Sequence, residues 1–248
     1  MALAKGTPHP GHRRLMTKSY TSPFVSEDIG EHHPEYWLGR RKIAGAVRDL
    51  VEASTTSDIP PDVAQSLAAS IETIAAKLRE HRQLPGVIAH AKAYGSYPVA
   101  NHEMLSVGGA SHPMAPGLRF WDDGDQVRGT VTFDWAYEGP PNHVHGGWVA
   151  AILDHFMGMA QIRAGAPGMT GGLDVRYLRP TPINCKLDLV ATLDRLSDRK
   201  TRVEATLGFG DTVTATGSAV FVKPQGAIFS EGVVAGNDGP PDTTQRDQ

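Results

Sequence analysis

The sequence predicts an α+β fold: an antiparallel sheet wrapped around one long helix, with an N-terminal helical hairpin as an extension. Three observations carry this. The segment 146–163 is apolar nearly all round, with Trp148, Val149, Ile152, Leu153, Phe156, Met157, Met159 and Ile162, and a helix of that kind is buried on most faces. Two strand-like segments precede it and four follow. The breaks between them are short turn sequences, so an antiparallel meander linked by hairpins suffices.

Taken in order, residues 1–33 are polar and rich in Pro, Gly and His, which reads as a flexible arm. Its histidines (His9, His12, His32, His33) have no carboxylate or cysteine at ligand spacing and read as surface residues. Residues 34–106 form a helical extension and a connecting segment. Ile43, Val47, Leu50 and Val51 recur at helical spacing, as do Val63, Leu67, Ile71, Ile74 and Leu78. Thr55 to Pro61 offers a cap and prolines suited to a first turn, so the two helices read as a hairpin that covers the main domain, with a partner interface as the alternative. The stretch 84–116 has several Gly and Pro and no clean period, and reads as a connection with one short strand.

Residues 107–223 form the main domain. Leu118 to Trp121 and Val127 to Phe133 read as strands around Asp122-Asp123-Gly124-Asp125. After the helix, strands are expected at about 170–179, 185–195, 200–209 and 212–222. They are separated by Arg179-Pro180-Thr181-Pro182, Ser197-Asp198 and Gly210-Asp211. From 224 to 248 the chain is rich in Gly, Pro and Asp and reads as a disordered tail.

Composition excludes some classes. The net charge of −3 makes no electrostatic case for nucleic acid or an anionic membrane, and no apolar run is long enough to span a bilayer. Cys185 is the sole cysteine, which excludes an intrachain disulfide. Together with an N-terminus lacking the apolar core of a secretory signal, it predicts a cytoplasmic location.

The chemistry concentrates in Gly139-Pro140-Pro141-Asn142-His143-Val144-His145-Gly146-Gly147, with Asp154 eight residues past Gly146. A turn, a histidine and two glycines thus open an apolar helix that carries one carboxylate. A helix start offers free N–H groups and the positive end of the dipole, which suits an oxyanion while Asp154 handles water or a proton. The reaction this suggests is acyl transfer to water. His143, His145, Asp154 and His155 lie in or just after a Gly/Pro turn with no further ligand cluster, so no metal is expected. His155, a third of a helical turn from Asp154, reads as a core or interface residue.

These residues resemble the hotdog-fold acyl-CoA thioesterases of the phenylacetyl-CoA thioesterase (PaaI-like) type. The resemblance covers about 107–223 and rests on an ordered set: Gly-Pro-Pro before His145-Gly146-Gly147, then Asp154, then Thr170 sixteen residues later. Val175 to Pro182 and Asp198-Arg199-Lys200 extend it. It implies an enzyme that hydrolyses an acyl-CoA to a carboxylic acid and free CoA, without cofactor or metal. By it, Asp154 is the base or nucleophile and the Gly146 N–H holds the thioester oxygen. His145 lies beside the thioester, and Thr170 helps place the water. Asn142, Gly147, Arg199 and Lys200 are expected at the substrate, the last two in a basic turn that meets CoA.

Spacing adds a constraint. Eight residues of helix separate Gly146 from Asp154 by about 12 Å, too far for both to serve one carbonyl carbon. Two helices related by a two-fold axis bring them together, so a homodimer, or a homotetramer built from it, is expected. Two other readings stand beside this one. An acyl-thioester hydratase or dehydratase would use His145 with Asp154, and the segment Ser111 to Gly117 looks superficially like part of a dehydratase loop. A non-catalytic acyl-CoA sensor would use the helical hairpin as its output, and retention of both Asp154 and Thr170 argues against it.

Overall fold

The computed structural model describes residues 33–95, 97–163 and 167–224. The arm expected over 1–33 and the tail over 224–248 therefore lie, apart from His33 and Pro224, outside the described residues. Four helices come first: α1 (Pro34–Thr56), α2 (Pro61–Arg79), α3 (Gly86–Tyr94) and α4 (Tyr97–Met104). They are followed by β1 (Arg119–Asp123), β2 (Gln126–Thr132), a 3-10 turn (Trp135–Tyr137) and α5 (Gly146–Arg163). The last elements are β3 (Met169–Tyr177), β4 (Lys186–Arg195), β5 (Lys200–Phe209) and β6 (Thr212–Val222).

The six strands form one antiparallel sheet in the order β1-β2-β4-β5-β6-β3, and α5 packs across it as the hotdog arrangement requires. The expected meander needs correction at one strand. β4, β5 and β6 are successive neighbours, but β3 pairs with β6 at the far edge and β2 pairs with β4. The segment after β3, through Pro180 and Pro182, has to cross the sheet before β4 starts. Two hairpins are tight, with two residues each between β1 and β2 and between β5 and β6. Both place a glycine first, Gly124 at φ 62° and Gly210 at φ 55°, a conformation costly for other residues.

Alternation builds the core. Phe120, Val127, Val131, Leu187, Leu189, Val203, Leu207, Ala219 and Phe221 point inward and bury Ile152, Leu153, Phe156 and Met157 of α5. The helix presses closest where the sheet has no side chain. A Cβ at Gly129 would lie 2.7 Å from the Arg119 carbonyl oxygen and 2.8 Å from the Phe156 ring.

The N-terminal region differs from expectation in three ways. First, 84–116 contains two short helices, α3 and α4, and no strand; at nine and eight residues they are too short to show a period. Second, α1 docks by a face turned about 100° from the middle of its apolar stripe, and Val47 of the stripe is half-buried. Trp37 and Ala44 are buried, whereas Ile43, Leu50 and Val51 are exposed. Polar groups on the docking face hold it. Arg41 grips the fully buried Glu103 of α4 with Nε to Oε2 at 3.1 Å and Nη2 to Oε1 at 2.5 Å, and Ser111 Oγ donates to the same carboxylate at 2.6 Å. Arg48 donates to the His112 carbonyl. A buried carboxylate is tolerable because it is paired and hydrogen-bonded on both oxygens. Third, α2 buries none of its residues, so no closed hairpin forms. Its start is Pro60-Pro61 without a side-chain cap.

His155 ties this region to α5. Its Nε2 lies 2.1 Å from where a Cβ on Gly108 would sit, so the ring fills the space that glycine leaves. Burial and the neighbouring His102 push its pKa down to about 4, as fits the core role expected for it.

Two stability predictions follow. Gly129→Ala drives a Cβ into backbone and ring, so destabilisation of about 1–3 kcal/mol is expected, read as a lower melting temperature. The folded state holds His155 neutral, with a pKa below its unfolded value near 6.5. Stability is therefore complete above about pH 6.5 and falls as pH drops toward 4, by about 3 kcal/mol from this group. His90 and His112, also lowered by burial, act in the same direction. Melting temperatures across this range check the slope, which His155→Gln should flatten.

Candidate active site

The loop entering α5 is a small hairpin. Gly139 N–H donates to His143 O, His145 N–H to Tyr137 O, and Val144 N–H to Thr181 O. Asn142 sits at the tip in the left-handed region, φ 63°, with its N–H on Glu138 Oε1. His143 is held by a hydrogen bond between its Nδ1 and Pro141 O. A Cβ on Gly139 would lie 2.7 Å from His145 Cα, so only glycine lets the hairpin close this tightly.

At the helix start the two glycines are not equivalent. Gly147 N–H donates to His145 Nδ1 at 3.0 Å. Trp148 and Val149 N–H both donate to the His145 carbonyl. Gly146 N–H has no acceptor among the described residues. Its carbonyl accepts from Tyr177 Oη at 2.9 Å, which pins the first turn to the end of β3. Sequence reading met Tyr177 only inside the segment Val175 to Pro182, with no role of its own; its hydrogen bond joins residues 31 apart and leaves no local signal.

Two turns further along α5, Asp154 accepts from Thr170 Oγ1 at 2.9 Å through Oδ1. The carboxylate is only half-buried, which corrects the expectation of a carboxylate enclosed among apolar neighbours. It lies on an open stripe with Gly147 and Ala151, facing the start of β3. β3 is exposed along nearly all its length, because none of the described residues covers its outer side.

Asp154 and Thr170 are therefore brought together, and so are His145, Gly146 and Gly147. The two groups are not brought together within one chain: His145 and Asp154 stand nine residues apart, about 13 Å along the helix. Arg199 and Lys200 lie in the β4–β5 turn, where Ser197 Oγ accepts from both of their N–H groups. Register places this turn on the Thr170 end of the sheet, since Lys200 pairs with Val222 and Val222 with Met169, about 10 Å across two strand spacings. Asn142 is remote from that turn, at the hairpin tip.

A cavity of about 180 Å³ lies between α1 and the 3-10 turn, walled by Val51, Met114, Tyr137 and Trp148 with Arg48 and Asp134 at its polar side. Trp148 is two residues past Gly146, about 200° round the helix, so the cavity and the β3 edge flank opposite sides of the helix start.

Comparison with known proteins agrees with this geometry. A family model described as the thioesterase superfamily matches residues 141–216, from the hairpin tip into β6. The acyl-coenzyme A thioesterase THEM5 of Homo sapiens is 31% identical over 90 residues, 36% of this chain and 36% of its own length. THEM4 of Mus musculus is 32% identical over 88 residues, 35% of this chain and 38% of its own. The chain thus aligns with little more than a third of these curated relatives. A crystal structure of a thioesterase superfamily protein superposes with a TM-score of 0.63 at 30% identity, covering 74% of this chain and 94% of that one. Residues 107–223 are less than half of this chain, so that match takes in part of the N-terminal helices as well. The chain belongs to the thioesterase superfamily, and its sheet and central helix are the hotdog fold of that family.

Proposed function

We propose that this protein is an acyl-CoA thioesterase, hydrolysing an acyl-CoA to a carboxylic acid and free CoA, with residues 107–223 as the catalytic unit. The observation that carries the proposal is the disposition of the two half-sites along β3. Thr170 at one end of the strand holds Asp154; Tyr177 at the other end holds Gly146. The names of the matched relatives, acyl-coenzyme A thioesterases, support the substrate class.

Two-fold symmetry converts these half-sites into whole ones. β3 is the terminal strand of the sheet, and a long exposed edge strand is a template for pairing. Antiparallel pairing of two copies about the middle of β3 sets the Thr170 end of one beside the Tyr177 end of the other. Asp154 of one chain then faces the free Gly146 N–H of the second, in a homodimer with two shared sites. Exposed Met169, Leu173 and Tyr177 are covered in that arrangement.

In the reaction, the thioester oxygen docks at Gly146 N–H. Thr170 fixes Oδ1 of Asp154, leaving Oδ2 to take a proton from water as the water oxygen bonds to the carbonyl carbon. Direct attack by the carboxylate, giving a mixed anhydride that water then opens, uses the same placement. The negative charge gathers on the oxygen at the helix start, where the dipole favours it. Collapse breaks the carbon–sulfur bond and CoA leaves as thiolate. His145, anchored through Nδ1, presents Nε2 beside the thioester. Arg199 and Lys200 meet the phosphates of CoA. The reaction needs neither cofactor nor metal. Among the described residues no helix is long and apolar enough to cross a membrane; a cytoplasmic location is part of the proposal and rests on the single Cys185.

Thiol release from a panel of acyl-CoAs tests the activity and finds the preferred acyl group. On the best substrate, Asp154→Asn should lower turnover by roughly 10²–10⁴ with little change in binding. Thr170→Val should cost less, and Thr170→Ser should restore most of the loss. An Asp154→Asn enzyme with parental turnover would overturn the assignment. The shared site has its own test. Mixing Asp154→Ala protein with a variant blocked at the helix start, Gly146→Pro, should restore activity to neither parent but to their mixed dimers, which hold one intact site. No recovery under subunit exchange would place both groups in one chain.

A further inference from the structure

Two histidines flank Val144 in the arm of the hairpin that leads into α5. Val144 bridges to Glu138 on one side and His143 to Pro182 on the other, so the arm is extended. Val144 is buried, His143 half-buried and His145 exposed. That is the alternation of a strand whose two rings share the outward face.

Each ring makes one hydrogen bond through Nδ1, and the two bonds have opposite senses. His143 Nδ1 lies 2.7 Å from the Pro141 carbonyl oxygen. A carbonyl only accepts, so this nitrogen carries the proton. His145 Nδ1 lies 3.0 Å from the Gly147 nitrogen. A backbone N–H only donates, so this ring nitrogen is bare. A neutral imidazole has one proton, and the bond at one nitrogen decides the state of the other. His143 Nε2 is therefore an acceptor and His145 Nε2 a donor. Neither has a partner among the described residues. The Gly147 N–H is itself held in place. The carbonyl of the same peptide unit, that of Gly146, accepts from Tyr177 Oη, which fixes the peptide plane from its other side.

An acceptor and a donor about 6.5 Å apart along a strand suit a ligand that offers the complementary pair. An acyl-CoA offers it beside its reacting bond. The thioester oxygen accepts. Two carbons beyond the sulfur, the pantetheine arm carries an amide whose N–H donates. That oxygen and that nitrogen are five bonds apart, about 5–6 Å at ordinary bond lengths. Resting on the acyl-CoA thioesterase reading, we propose that His143 is a substrate-binding residue. Its Nε2 accepts the amide N–H nearest the sulfur of CoA, while His145 Nε2–H donates to the thioester oxygen beside the Gly146 N–H. The pair reads the thiol side of the bond and selects thioesters whose thiol carries that amide.

Two measurements on the full chain test it. The first uses isotope-labelled histidine at a pH well above the ordinary imidazole value near 6.5. Long-range proton–nitrogen correlation spectra should show His143 protonated at Nδ1 and His145 at Nε2, with the signals assigned by their loss in His143→Gln and His145→Gln. Excess free CoA should shift His143 Nε2 and leave it unprotonated. A reversed or averaged His143 ring overturns the inference, and so does an Nε2 that CoA does not move. The second compares, for one acyl group, the thioester of N-acetylcysteamine, which keeps the amide, with that of an alkanethiol of equal length. His143→Met should lower the preference for the amide thioester, in kcat/KM, by roughly 2–10-fold, the worth of one hydrogen bond. His143→Gln should keep the preference, because its side-chain oxygen accepts while its NH2 replaces the bond to Pro141. An unchanged preference in His143→Met overturns the inference while the thioesterase reading stands. A CoA-induced shift at His143 in a protein that hydrolyses neither thioester supports the contact and overturns the hydrolase reading alone.

Discussion

Two hydrogen bonds fix the relation on which the rest of the site depends. Thr170 reaches Asp154 from the start of β3, and Tyr177 reaches the Gly146 carbonyl from its end. Strand and helix therefore run in opposite senses, side by side, with Asp154 at one end and the proposed oxyanion donor, Gly146, at the other. A base and a donor on one rigid helix cannot converge; the same pair on two helices related through a shared strand edge can. The fold does not merely carry the site residues. Its strand order, which sends β3 to the far edge instead of beside β4, leaves this edge open to a second chain.

The central helix is also held from its other side, where His155 fills the hollow at Gly108. The groove-facing carboxylate of Asp154 and this inward ring belong to consecutive residues. That adjacency follows from helical geometry, since neighbouring side chains diverge by about 100°. The N-terminal helices thus take part in holding α5, through Gly108, Ser111, Glu103 and Arg41. Their anchor is electrostatic as much as apolar: a buried carboxylate gripped by a guanidinium and a hydroxyl supplies direction that apolar contact alone lacks.

Much of this was legible in the sequence, and the failures have a common cause. The all-round apolar helix, the strand limits and the ordered set His145, Gly146, Asp154 and Thr170 were readable because each is local: a period, a turn or a spacing. The fold they predicted is the fold observed. Strand order was not local, and the prolines that end β3 gave no sign that the chain then crosses the sheet. Asp154 was expected to be enclosed because its neighbours in sequence are apolar, but its own face of the helix is Gly147 and Ala151, and points outward. The misreading of α1 is the most instructive. Its apolar stripe at Ile43, Val47, Leu50 and Val51 looked like the buried face; Val47 is half-buried, but the face that docks most closely is that of Trp37, Ala44 and the polar Arg41. Periodicity reveals a face; the partner waiting for that face lies elsewhere in the chain, and here it was Glu103.

Seen together, the outward apolar residues of α1 and α2 and the exposed length of β3 pose one problem three times. Each is a surface whose composition belongs in an interior while the single chain supplies no interior for it. For β3 the remedy is built into strand chemistry, because an edge of unpaired N–H and C=O groups pairs with its own copy. An antiparallel strand pair is compatible with a two-fold axis. In the proposed dimer, that symmetry at β3 holds Asp154 and the Gly146 N–H of separate chains at a fixed distance, so the edge that needs covering and the half-sites that need completing meet one requirement.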